Sequence, residues 1–284
     1  MGLRAIKRLV LRPEVPWAKQ RTRLRAATMG YRPLFDVAVE NVTIAGVPCE
    51  RMTPKNYQKN RVIVYVHGGG FCTGSPAMGY PLCSYLAASL EAQVICVNYR
   101  LAPEHPAPAA LEDVEAVLRG QGGRTVVALG DSAGGGLLAS ALQRTAHDAR
   151  AVALLSPWLD LSADRTIDAV LVSRDPLLSP QWLGACARAY AGDDLTDPAV
   201  SPLFGPWERM PPTLVIGGSD DLLALDARRL DVLGLEQVRV REFTDFWHDF
   251  ALSVGQLAMA DETARLIATH FAAGTGWRAH TLAY

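Results

Sequence analysis

From Arg61 onward the chain alternates two textures. Short runs of β-branched and aliphatic residues fall at 61–66, 93–98, 125–129, 151–155, 213–217 and 237–243, and stretches with helical spacing fall near 79–90, 107–119, 133–146, 222–233 and 256–271. The run Arg61-Val62-Ile63-Val64-Tyr65-Val66 has no polar alternation, so it reads as a strand covered on both faces. Helices and covered strands in strict alternation build right-handed strand-helix-strand units, and these force a mostly parallel sheet with helices on both faces. Ahead of them, the β-like runs from Val37 to Ile44 and from Val47 to Met52 are joined by Ala45-Gly46, which predicts an antiparallel hairpin. The expectation is an α/β fold with a central sheet of about eight strands. A chain of 284 residues accommodates this as one domain over 1–284 with insertions.

Residues 157–210 break the alternation. They carry prolines at 157, 176, 180, 198, 202 and 206, the aromatics Trp158, Trp182, Tyr190, Phe204 and Trp207, and one helical stretch at about 180–191. A long segment between two core strands is expected to form a lid or binding loops. The first 32 residues are the other irregular region. They hold nine basic side chains between Arg4 and Arg32 against the single acid Glu14, with Pro13 and Pro16 dividing them into two short helical pieces. A helical flap with its apolar side on the body and its arginines in water is the plain reading. Weak contact of this basic stretch with a membrane surface is the alternative.

Composition narrows the partners. Lys and Arg number 28 against 29 Asp and Glu, so no nucleic acid or other polyanionic partner is indicated. Cys49, Cys72, Cys83, Cys96 and Cys186 are odd in number and contain no C-x-x-C pair, which points to neither a disulfide framework nor a zinc site and suits the cytoplasm. Charges interrupt the first apolar runs before they reach signal-peptide length. No later segment offers about eighteen uncharged apolar residues for a spanning helix.

The chemistry is concentrated in loops that follow strands. In Gly130-Asp131-Ser132-Ala133-Gly134 a serine has glycines two residues to either side, which permits a turn tight enough to thrust the hydroxyl outward. His67-Gly68-Gly69-Gly70 follows the strand ending at Val66. Its glycines allow backbone N–H groups to converge on an anion, while the spacing fits neither nucleotide-binding glycine motif.

A serine hydroxyl needs a base, and the base needs an orienting carboxylate. Of the six histidines, His248 lies in a loop just after the final strand and is the candidate base. His147, His270 and His280 suit solvated or structural positions, His105 falls between two prolines, and the His67 ring suits anchoring the glycine turn. Gly217-Gly218-Ser219-Asp220-Asp221-Leu222-Leu223 supplies the acid, from among Asp220, Asp221 and Asp226. The residues not selected are expected to serve as an acidic N-cap for the following helix. The chain order is then serine, acid, histidine.

These residues resemble the hormone-sensitive-lipase-like branch of the α/β-hydrolases, bacterial esterase family IV. The likeness rests on His67-Gly68-Gly69-Gly70, Tyr99-Arg100-Leu101-Ala102-Pro103-Glu104, Gly130-Asp131-Ser132-Ala133-Gly134, Asp220-Asp221-Leu222-Leu223 and Trp247-His248-Asp249-Phe250, and it runs from about residue 35 to 272. It implies an α/β-hydrolase fold with a small cap built from about 1–35 and 157–210. It implies Ser132 as nucleophile, His248 as base and Asp221 ahead of Asp220 as acid. Gly69, Gly70 and Ala133 would donate to the oxyanion, and His67, Glu104 and Asp131 would brace the loops. Two departures stand out: the stretch from Asp221 to His248 is a few residues short, and Asp249 stands where the family often has glycine.

The function expected is a serine carboxylesterase acting on small-molecule esters with fairly apolar acyl chains of roughly two to eight carbons. The same residues would serve a lactone hydrolase or a deacetylase of a specific metabolite. A small-ligand receptor on the same fold is the remote alternative. No metal or organic cofactor is called for, because side chains and backbone donors carry the chemistry. A homodimer through the last strand and helix is implied by the resemblance alone.

Overall fold

The fold is described from a computed structural model covering residues 2–145, 149–164 and 168–282. Helices α1 (Leu3–Leu9) and α2 (Trp17–Thr28) precede the hairpin of β1 (Val37–Ile44) and β2 (Val47–Pro54). Then follow β3 (Arg61–Val66), α3 (Tyr80–Leu90), β4 (Gln93–Val97), α4 (Ala109–Arg119), β5 (Thr125–Asp131), α5 (Ser132–Arg144) and β6 (Ala149–Leu155). Helices α6 (Ala169–Arg174) and α7 (Pro180–Ala191) occupy the interrupting segment before β7 (Thr213–Gly218), α8 (Ala224–Val232), β8 (Val238–Phe243) and α9 (Ala258–Thr275).

The sheet order is β1-β2-β4-β3-β5-β6-β7-β8. Strands β3 to β8 are mutually parallel, and the β1–β2 hairpin joins antiparallel through β2 to β4. Period-two alternation distributes β3 between two cores: Val62, Val64 and Val66 enter one, Ile63 and Tyr65 the other. Each of these side chains is fully buried and contributes roughly 2 kcal/mol of transfer free energy.

Three expectations need correction: the covering of the strand at 237–243, the solvent-facing arginines of the N-terminal segment, and the acidic N-cap of α8. The strand at 237–243 reads as covered, but β8 is the sheet's outer edge, with Arg239, Arg241 and Glu242 exposed. Charges along an open edge discourage pairing with another chain. In the N-terminal segment Arg21 does not face water: its guanidinium donates to the carbonyls of Cys72 (2.8 Å) and Ala102 (2.7 Å) and pairs with Glu104. The tail after α9 packs on the body, with Trp277 buried under the Arg61 guanidinium and His280 hydrogen-bonded to Ser89 through the backbone in one direction and the serine hydroxyl in the other. Asp220 and Asp226 do not cap α8, whose N-cap residue is Leu223. His147 and Tyr284 lie outside the described residues.

The two irregular regions meet. Trp182 of α7 donates its indole N–H to Gln20 of α2 at 2.9 Å in a buried contact, and the Lys7 ammonium of α1 donates to the Asp175 carbonyl at 2.7 Å.

Candidate active site

Because β3, β5, β7 and β8 are parallel, the loops that follow them emerge at one edge of the sheet. Those loops carry His67–Gly70, Ser132, Asp221 and His248. Residues separated by up to 181 positions are therefore neighbours by topology.

Ser132 is the first residue of α5 and has φ +50°, a left-handed backbone that costs on the order of 1 kcal/mol for a non-glycine residue and is held only by its surroundings. Gly134 explains part of that hold. A Cβ there would stand 2.2 Å from the Val66 carbonyl oxygen and 2.4 Å from that of His67, so glycine lets α5 press against the end of β3.

His248 Nε2 lies 3.0 Å from Ser132 Oγ, and His248 Nδ1 lies 3.0 Å from Asp221 Oδ1. All three residues are buried. Asp221 Oδ1 also accepts the Leu223 N–H at 2.8 Å, which fixes the carboxylate on the first turn after β7. With Asp221 accepting at Nδ1, it is the neutral ring that presents an Nε2 lone pair to the serine hydroxyl. Burial disfavours the charged ring, but the carboxylates of Asp221 and Asp249 outweigh it and hold the His248 pKa well above the usual imidazole value.

The glycine loop folds beside this row. Gly69 has φ +119° and Gly70 φ +61°, conformations that side chains resist, and both line the same cavity as Ser132. Ala133, in the first turn of α5, has an N–H with no partner inside the helix. Converging donors of this kind suit a developing oxyanion.

Asp131 is buried and accepts from Tyr65 Oη (2.7 Å) and the Gly68 N–H (2.8 Å), tying the glycine loop to β5. Burial, reinforced by the nearby Asp249 charge, pushes its pKa up to about 8. The His67 ring contacts the Gly68 carbonyl through Nδ1 (2.7 Å) and stacks on Tyr99 at 4.3 Å. Burial lowers its pKa to about 4, so the ring is neutral and anchors the turn. Glu104 reaches the loop through Arg21, whose guanidinium also holds the Cys72 carbonyl.

The other acids lie elsewhere. Asp220 pairs with Arg174 at 3.3 Å. Asp226 is buried and accepts the N–H groups of Leu159 (2.9 Å) and Asp160 (3.1 Å). His270 contacts the Val152 and Pro212 carbonyls, and the His105 side chain is exposed.

Two neighbours escaped the sequence reading. Asp175 accepts the N–H groups of Leu177 and Leu178 on one oxygen and that of Leu222 on the other, and so ties the segment between α6 and α7 to the residue after Asp221. Its local sequence Arg174-Asp175-Pro176 carries no signal beyond a turn. Ser156, after β6, accepts the Asp249 N–H at 3.1 Å.

Above Ser132 and His248 lies a cavity of about 110 Å³ lined by Ile6, Leu24, Leu177, Leu178 and Trp182 among others. A larger, more open groove of about 530 Å³ lies among Arg4, Lys7, Arg8 and Gln181 and touches none of Ser132, His248 and Asp221. Among the described residues no group of three or more His, Cys, Asp or Glu is arranged to hold a metal ion, and no helix is long and apolar enough to cross a membrane.

A hydroxyl, imidazole and carboxylate in a row at the carboxyl edge of a mostly parallel sheet, beside converging backbone donors, define an α/β-hydrolase. Residues 63–252 match the alpha/beta hydrolase fold family. The chain is 35% identical over 269 residues to LipR of Mycobacterium tuberculosis, covering 88% of this chain and 86% of that protein. It is 36% identical over 222 residues to an acetyl-hydrolase of Streptomyces hygroscopicus, covering 73% of each. The crystal structure of an esterase from the bacterial hormone-sensitive lipase family superposes with a TM-score of 0.85 at 26% identity, covering 95% of both chains. The chain belongs to the hormone-sensitive-lipase-like family of α/β-hydrolases, and it is a carboxylic ester hydrolase.

Proposed function

We propose that this esterase is a serine carboxylesterase for short, apolar acyl esters, with Ser132 as nucleophile, His248 as general base and Asp221 as the orienting acid. The observation that carries this reading is the row Ser132 Oγ, His248 Nε2, His248 Nδ1, Asp221 Oδ1, with both contacts at 3.0 Å, whose Ser132 and His248 line an apolar cavity. Ser132 Oγ attacks the ester carbonyl as its proton passes to Nε2. The N–H groups of Gly69, Gly70 and Ala133 take up the oxyanion charge. Nε2 then protonates the departing alkoxide, and water clears the acyl-enzyme by the same steps in reverse order.

A cavity of about 110 Å³ is far below the several hundred Å³ that drug-sized ligands occupy. This supports acyl groups at the short end of the range. Part of the lining comes from α1, α2 and the 177–182 segment, which we take as the cap over the site, and much of the rest from the glycine loop, Ser132 and the 247–253 loop of the body. A deacetylase of a particular metabolite is the second reading, favoured by the same small volume and by the acetyl-hydrolase name of a relative. All cysteines are free and buried, which suits a reducing compartment such as the cytoplasm.

The test is Ser132→Ala against chromogenic acetate and butyrate esters. A loss on the order of a million-fold is expected, and a variant retaining more than a few per cent of the rate would sink the assignment. Rates across esters, lactones and acetylated small molecules separate the two substrate readings.

A further inference from the structure

Asp249 has φ +56°, and its N–H is held by Ser156 Oγ at 3.1 Å. This turn places its Oδ2 3.1 Å from His248 Nε2, the same nitrogen that faces Ser132 Oγ at 3.0 Å. Its other oxygen, Oδ1, is buried and meets no donor. One imidazole therefore stands between two carboxylates, Asp221 on Nδ1 and Asp249 on Nε2.

A neutral ring has a single N–H. With that N–H given to Asp221, Nε2 presents a lone pair, and an ionised Asp249 would then set acceptor against acceptor. A proton on the contact removes the conflict, and two carboxylates about one ring favour its retention. We propose that Asp249 is a second carboxylate partner of the base, which retains a proton on the Asp249–Nε2 contact in the resting enzyme and so holds Ser132 inactive until that proton leaves to solvent. This rests on His248 being the base.

The charged and titratable groups facing the ring come from several elements. Asp221 follows β7, Asp131 ends β5, Asp175 lies between α6 and α7, and Asp249 adjoins the ring in its own loop. Burial raises the Asp249 carboxyl pKa while His248 opposes it. The proton is thus a property of the pair, and whichever atom carries it, Nε2 is not free to take another. The acidic limb of the rate profile should accordingly lie above the usual imidazole range of about 6.5.

The experiment is the pH profile of kcat/KM on a chromogenic acetate ester for the wild type, Asp249→Asn and Asp249→Gly. Glycine, and to a lesser degree asparagine, tolerates positive φ, so both keep the turn. The limb is expected to move down by about one pH unit or more in both variants. A direct NMR titration of the His248 ring should move with it, and this decides the matter if either variant turns over too slowly for a profile. A limb and a ring titration left where the wild type has them overturns the proposal. His248→Ala is run alongside. If it stays active, the base assignment itself fails, whereas an inactive His248→Ala with unmoved Asp249 variants removes only this proposal.

Discussion

Asp175→Ala tests how the segment over the site and the acid beneath it are held together. Asp175 is 2% exposed and accepts three backbone N–H groups: Leu177 at 2.7 Å, Leu178 at 2.8 Å and Leu222 at 2.9 Å. A hydrogen bond to a carboxylate is worth about 1.5–3 kcal/mol, and a buried donor left unpaired costs a similar amount. The gross loss is offset by relief of the carboxylate's own burial, which pushes its pKa up. The net destabilisation expected is about 3 kcal/mol, a fall of roughly 6–10 °C in Tm for a chain of this size.

The Leu222 N–H follows Asp221 directly, so its release loosens the acid as well. A displacement there should lower kcat by roughly 10- to 100-fold with KM little changed. Calorimetry and initial rates on a butyrate ester check both effects. Asp175→Asn should fall between the two, since its one carbonyl oxygen serves only one side of the bridge. A Tm within about 1 °C of wild type would refute the accounting of buried donors. A lower Tm with kcat unchanged would show that Asp175 holds the fold without positioning Asp221.

Two further outcomes follow from the site. Gly134→Ala brings a Cβ to 2.2 Å from the Val66 carbonyl oxygen; since backbone faces backbone, expression of soluble protein should fall sharply, and a variant with wild-type Tm would contradict the close approach. The pKa of His67 is lowered to about 4 by burial, against about 6.5 in the unfolded chain. The unfolded state therefore binds more protons between these values, and the stability this residue provides is intact above pH 6.5 and lost as pH falls toward 4, by about 3 kcal/mol in all. His67→Phe should flatten Tm against pH in that window, and an unchanged slope would remove His67 as the cause.

Much of the site is local in origin and legible in one dimension. Glycines around Ser132 and after His67 leave a mark because a tight turn or a close backbone approach admits few other residues. The parallel strands leave one because covered strands lose polar alternation. The carboxyl-edge rule then brings 67–70, 132, 221 and 248 together without a contact being seen. Beyond that, local signals end. Val238 and Val240 alternate with charges along β8, and whether such a strand is central or an edge depends on what lies beside it. Arg21 belongs to a run of cations that all look alike until Cys72, Ala102 and Glu104 surround one of them.

By itself the sequence determined the fold class, the order serine, acid, histidine, and which glycine turns surround them, because turn chemistry and strand burial are written in neighbouring residues. Only the tertiary structure decided which acid meets the ring, that Asp175 bridges to it from 46 residues away, and that Asp249 turns back onto Nε2. Those outcomes depend on distances between chain segments far apart in sequence, and on a buried carboxylate's need for whichever donors the fold brings within reach.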